Sequence, residues 1–172
     1  PQMLKLSVST LADEQAAGVV GPMVYHASEP EVIQSAGGIL DLNWHPMHLA
    51  ENQEDIGQFS DSHLVDWLSG CALVTRAETI RQIGLFDERF FSYYEDLDWC
   101  LRMKAAGWKI IHAPQAKIWH TGVQPNYQPK PYVTYYMARN QLLLLQKHHA
   151  PLSAWVRAIS ADLRTLLSWT LR

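Results

Sequence analysis

Apolar positions along the chain switch between helical and strand spacing, and the switches predict most of the elements. Met3, Leu4, Leu6 and Leu11 recur at loosely helical spacing, and Pro1 suits an early helical position, so a helix opens the chain. The apolar run GVVGPMVYH at 18–26 reads as a buried strand with a Gly-Pro turn inside it. Residues 27–61 are rich in loop formers, with a turn expected at Gly37-Gly38 and short extended pieces near 39–44. A strand is expected through 71–75, followed by a short helix, AETIRQIG, closed by Gly84. A second helix should run over 95–106, ended by Gly107, with Leu97, Cys100, Leu101 and Ala105 as its apolar stripe. WKIIHAP and AKIWH read as two short strands split by Pro114, and two helices, 131–149 and 152–171, complete the chain. Helices and strands alternate irregularly, which predicts a mixed α/β fold.

Composition narrows the class. With 172 residues, 48% hydrophobic and 18% charged, the chain can bury a real core. A net charge of −3 argues against binding a nucleic-acid backbone, which needs a basic face. Two cysteines, Cys71 and Cys100, are too few for a disulfide framework, so a reducing compartment is the simpler reading. No apolar run approaches a membrane span, QLLLLQ at 141–146 being far too short, and no leader peptide is visible. The last helix is unusual. Leu152, Val156, Ile159, Leu163, Leu166 and Leu167 make an apolar stripe, with Trp155 and Trp169 as amphipathic anchors and Arg157, Arg164 and Arg172 off the stripe. It either packs on the protein's own core or faces a membrane or a partner.

Several site motifs are absent. WLSGC has Trp67 where a G-x-S-x-G elbow needs glycine, and SAGG at 35–38 is neither a P-loop nor a G-x-G-x-x-G turn. The cysteines lack zinc-ligand spacing, and HPMH at 45–48 reads as surface histidines in a loop. The segment FDERFFSYYEDLDWCLRMKAAGW at 86–108 is different. It sets Glu95, Asp96 and Asp98 directly behind Phe90, Phe91, Tyr93 and Tyr94. Carboxylates at a helix start stabilise the dipole by about 0.3–1 kcal/mol, and Asp98 with Arg102 forms an i, i+4 pair. That accounts for Asp98. Adjacent carboxylates against an aromatic wall also raise each other's proton affinity, as a general base requires. On residue chemistry alone, both readings of Glu95-Asp96 stand.

The run FDERFFSYYEDLDWCLRMKAAGWKI, followed by AKIWH, resembles the second half of the catalytic domain of family 2 glycosyltransferases. More narrowly it is similar to the rhamnosyltransferase-like branch that builds bacterial surface polysaccharides. VVGPMVY, SAGG, W-L-S-G-C-A and Arg139-Asn140 extend the likeness over most of the chain. The resemblance implies a partial GT-A fold, a mixed sheet with flanking helices. Residues 1–130 would be the acceptor-side half and 131–172 a helical extension.

It also implies roles. Asp96 would deprotonate an acceptor hydroxyl that attacks the anomeric carbon of a nucleotide-sugar with inversion, and Glu95 would shape the same site. Trp67 and Gly70 match a strand before the acceptor pocket, as an aromatic platform and a point of close backbone approach. His120 matches a ligand of the divalent metal, Mg or Mn, that holds the donor diphosphate. The D-x-D motif of the nucleotide-binding half has no counterpart here, so the chain is expected to be the C-terminal portion of such an enzyme and inactive alone. The acceptor would be a saccharide or lipid-linked, and the place cytoplasmic, at the inner face of the cell membrane. Two further classes stay open: a non-catalytic carbohydrate-binding or assembly module, and a metal-dependent hydrolase.

Overall fold

The computed structural model describes residues 2–122 and 130–170. Its elements are α1 (Gln2–Asp13), β1 (Ala17–His26), β2 (Val32–Ser35), β3 (Gly38–Leu40), β4 (Pro46–His48), β5 (Gln53–Glu54), β6 (His63–Leu64) and β7 (Val74–Thr75), then α2 (Ala77–Ile83), α3 (Glu95–Ala105), β8 (Lys109–His120), α4 (Pro131–Lys147) and α5 (Leu152–Thr170). The main sheet runs β5-β2-β1-β8-β6, with β7 also on β1; β3 and β4 form a separate hairpin. Only the β1–β8 pair is parallel, and every residue of β1 is buried.

Strand alternation sorts the core. Val20, Ile111 and Ala113 face α1, where Leu11, Leu6 and Met3 cover them. Val19 and Ile110 face the other way, into a cluster with Leu97, Cys100 and Met103 of α3 and Leu144 of α4. The sheet is thus a middle layer, with α1 on one face and α3 and α4 on the other.

Three expectations fail, two of them for one reason. Gly21-Pro22 makes no turn, because β1 continues through it. Pro114 does not split the following segment either, because β8 is one strand of 12 residues. Both prolines lie where the β1–β8 ladder shifts register, between Pro22↔Ala113 and Met23↔Lys117. A proline has no N–H to give, and an irregularity is where a buried ladder tolerates that loss. The strand expected over 71–75 shrinks to Val74–Thr75, and the chain turns at 70–71 instead. That turn brings Gly70 to the start of α3.

Candidate active site

The aromatic segment before α3 is held in a conformation its residues resist. Phe91, Tyr93 and Tyr94 have φ of 61°, 69° and 71°, in the left-handed region. For residues with a Cβ this costs roughly 1–2 kcal/mol each. Phe90 anchors the segment from a fully buried position. The fully buried Asn140 of α4 then clasps it, its Nδ2 donating to the carbonyls of Phe90, Ser92 and Tyr93 at 2.7, 2.7 and 2.8 Å. Arg139 donates to the Arg89 carbonyl at 2.9 Å and to Asn140 Oδ1 at 2.7 Å, which fixes the amide's orientation. Phe86 and Asp87 brace the loop, as Phe86 packs on Trp99 and Asp87 accepts from Arg89 and Lys147.

From this clasp α3 begins with no side-chain cap on Tyr94. Asp96 does part of that work, its Oδ1 accepting from the Leu97 N–H at 2.8 Å. Its Oδ2 accepts from the Gly70 N–H, also at 2.8 Å. Burial nevertheless pushes the Asp96 carboxyl above its ordinary range, with the two amides and a nearby His48 only partly offsetting it. Burial raises Glu95 too, the Asp96 charge adds to the rise, and Glu95 Oε2 is buried without a hydrogen-bond partner.

Asp98 takes the opposite course. It is fully buried, yet it accepts from Arg102 Nε, Lys147 Nζ and His148 Nε2, each at 2.9 Å. Those three donors outweigh desolvation and hold it below the usual carboxylate range. The expected Asp98–Arg102 pair is present; Lys147 and His148 arrive from the far end of α4.

The other expected site residues are distributed as follows. Gly70 touches Asp96 through its N–H, and a Cβ there would lie 3.5 Å from Asp96, an ordinary contact. The approach therefore depends on the amide and not on a missing side chain. Trp67 is 7% exposed, so its ring floors the site from within the core instead of presenting an open face. A Cβ on Gly38 would sit 2.2 Å from that ring. His120 ends β8 beside Gln34, with Nδ1 3.1 Å from Oε1. Among the described residues no group of three or more His, Cys, Asp or Glu side chains is placed to hold a metal ion. The donors among the described residues do not compose a cation site.

One residue was missed. His45 is exposed as expected, but His48 is largely covered, bonded through Nδ1 to Ser35 Oγ at 2.8 Å, with its ring 4.6 Å from that of Trp67. The signal in HPMH was the alternation of a short strand, which turns only one of its two histidines inward.

A strained, clasped loop that delivers a carboxylate of raised proton affinity is a site suited to taking a proton. Residues 1–140 match the family described as glycosyltransferase-like family 2. The chain belongs to that family. Within this glycosyltransferase family it is rhamnosyltransferase-like. It is 34% identical over 109 residues to the N-acetylglucosaminyl-diphospho-decaprenol L-rhamnosyltransferase of Mycobacterium tuberculosis (strain ATCC 25618 / H37Rv), covering 63% of this chain and 32% of that protein. Rhamnosyltransferase WbbL of Escherichia coli (strain K12) is 36% identical over 56 residues, 33% of this chain and 21% of that one. The dTDP-rhamnosyl transferase RfbF of Shigella flexneri is 31% identical over 90 residues, 48% and 30% respectively. The crystal structure of GalNAc-T7 with UDP, GalNAc and Mn2+ superposes with a TM-score of 0.58 over 81% of this chain and 28% of that one, at 12% identity. That likeness carries the GT-A fold. This glycosyltransferase chain spans about a third or less of the length of these relatives.

Proposed function

We propose that the chain is the acceptor-side portion of an inverting, rhamnosyltransferase-like glycosyltransferase of surface-polysaccharide synthesis. It would move a sugar from a nucleotide-sugar to a saccharide or lipid-linked acceptor. The observation that carries the proposal is Asp96, a carboxylate aimed by the Gly70 and Leu97 amides and raised in proton affinity by burial. The acceptor hydroxyl gives its proton to Asp96, and its oxygen bonds to the anomeric carbon. The bond from that carbon to the diphosphate breaks, and the nucleotide leaves with the electron pair. Glu95 hydrogen-bonds the acceptor, while Gly70 and Trp67 shape the pocket that receives it. His120 contributes one ligand to a divalent cation, Mg or Mn, whose remaining ligands lie outside this sequence. On its own the segment is inactive.

The acceptor named for the mycobacterial relative is linked to decaprenol diphosphate. A place at the cytoplasmic face of a membrane suits such a substrate. No helix among the described residues is long and apolar enough to cross one. The surface of α5 supports contact from the side: Ala154 and Ala158 face the protein, while Leu152, Val156, Ile159, Leu163, Leu166 and Leu167 are between 47% and 78% exposed. Of the two expected anchors, Trp155 packs half-buried against the protein, and Trp169, like Arg172 off the stripe, lies outside the described side chains.

The test is transfer from dTDP-rhamnose to a prenyl-diphosphate-linked N-acetylglucosamine, in the longest natural chain carrying this sequence. Asp96→Asn should lower turnover at least about 100-fold. Turnover within a few-fold of the parent would mean that another group takes the proton.

A further inference from the structure

The segment that ends in β6 lies over a buried imidazole. His112 of β8 is fully buried, and neither of its ring nitrogens has a hydrogen-bond partner among the described residues. A neutral imidazole carries one donor and one acceptor, so both are taken from water without compensation. The cover comes from residues 59–64. The His63 ring lies 4.8 Å from that of His112, and the Phe59 ring stands edge-on to it at 6.4 Å. His63 is also the register partner of His112, on an edge strand only two residues long. Two further ties flank the cover: Val65 N–H donates to the Ile110 carbonyl and Gln115 Nε2 to the Ser60 carbonyl, both at 3.1 Å. Ser60, Asp61, Ser62 and Leu64 face solvent on its outer side.

We propose that residues 59–64 form a pH-sensitive latch, which lifts from the sheet in mildly acidic solution as His112 takes up a proton. In the closed form that proton has no favourable place. Burial first, and then the charge of His63, push His112 down to about 3. The surrounding groups do not counter this. On the latch, Asp61 gives His63 Nδ1 its backbone carbonyl at 3.1 Å, while its carboxylate accepts from the Ser60 hydroxyl at 3.1 Å. On β1 the register partner of His112 is Gly21, with Leu68 against it, and neither titrates. Farther off, Asp55 is paired with Lys117 and Asp66 with Lys104. Once the latch lifts, His112 titrates as an ordinary imidazole, near about 6.5. The closed form therefore keeps its full stability above about 6.5 and loses it progressively as pH falls toward about 3. β6 leads directly into Trp67 and Gly70, so the latch lies at the root of the segment that reaches Asp96.

The test is amide hydrogen exchange, read by mass spectrometry on the longest natural chain carrying this sequence and corrected for the intrinsic effect of pH. One proton coupled to opening should lower the protection of residues 59–65 about tenfold between about pH 7.5 and pH 5.5, while that of β1 stays constant. His112→Phe fills the same space without a nitrogen to protonate and should abolish most of that fall. Constant protection of 59–65 in the parent chain overturns the proposal without any variant. A fall of the same size in His112→Phe assigns it to another group and overturns it too. Phe59→Ala thins the cover without touching a titrating group, so it should lower protection at both pH values and keep the tenfold dependence. Unchanged protection in Phe59→Ala would mean that these residues do not open as a unit, and would also sink the latch.

Discussion

Asp96 and Asp98 lie two residues apart on one helix, and the protein treats them in opposite ways. Asp98 is the more deeply buried, yet its carboxyl is held low, because Arg102, Lys147 and His148 surround it with donors. Asp96 is partly open to solvent, yet its carboxyl is held high, because burial outweighs the two backbone amides that contact it and no cationic side chain donates to it. Burial alone does not set a carboxylate's proton affinity; the charge of its partners decides. One aspartate joins α3 to α4, and the other is left with backbone partners alone.

The sharpest way to break the comparison is at Asp98. Asp98→Asn leaves Arg102, Lys147 and His148 without their common anion, and should cost roughly 3–5 kcal/mol in urea denaturation. A loss under about 1 kcal/mol would show that the cluster is a surface-like pair after all. Asp96→Asn should do the reverse: a large loss of turnover with no loss of stability.

The pH dependence of unfolding separates the two further. The stability from Asp98 is complete above the unfolded-state pKa of about 3.9 and is lost as pH falls through its lower folded value. Asp96 has a raised folded value, so its contribution is complete below about 3.9 and is lost as pH rises through that value. Asp96→Asn should therefore gain stability relative to the parent near pH 7 and match it in acid, and denaturation midpoints across pH would check both limbs. Equal differences at every pH would remove the distinction.

Two smaller effects sharpen the picture. Asn140→Ala removes the side-chain donor shared by the carbonyls of Phe90, Ser92 and Tyr93 and should cost about 1–3 kcal/mol, with a larger loss of turnover than of substrate affinity. A stable variant with unchanged kcat would mean that the loop holds itself. Leu163→Glu on α5 should change stability by less than about 0.5 kcal/mol but reduce sedimentation with anionic liposomes. Equal, salt-insensitive partitioning of both forms would remove the membrane contact.

What was legible in the sequence was what local chemistry determines. The Gly84 stop and the Asp98–Arg102 pair are settled within a few residues, whereas of the expected α3 stripe Leu97 and Cys100 are buried, Leu101 is half-buried and Ala105 is exposed. The misses involve partners far along the chain. Proline rules written for isolated strands end a strand at Pro114, but the parallel partner β1 shifts register there and lets it pass. Nothing near Asp98 announces Lys147, 49 residues away, nor does HPMH announce which histidine turns toward Trp67. Spacing alone separated Asp98, with its i, i+4 partner, from Glu95-Asp96, but gave no sign of the Gly70 amide that reaches Asp96 from 26 residues away.

The Asn140 clasp also orders events in time. Its side chain reaches back 47 residues to the Tyr93 carbonyl, so during synthesis the sheet and α3 leave the ribosome well before the residue that bends the aromatic loop. Until α4 emerges, the three left-handed residues lack the Asn140 side chain, and Asp98 lacks two of its three partners. In a nascent chain the loop ahead of Asp96 is thus unclasped until Asn140 has left the ribosome.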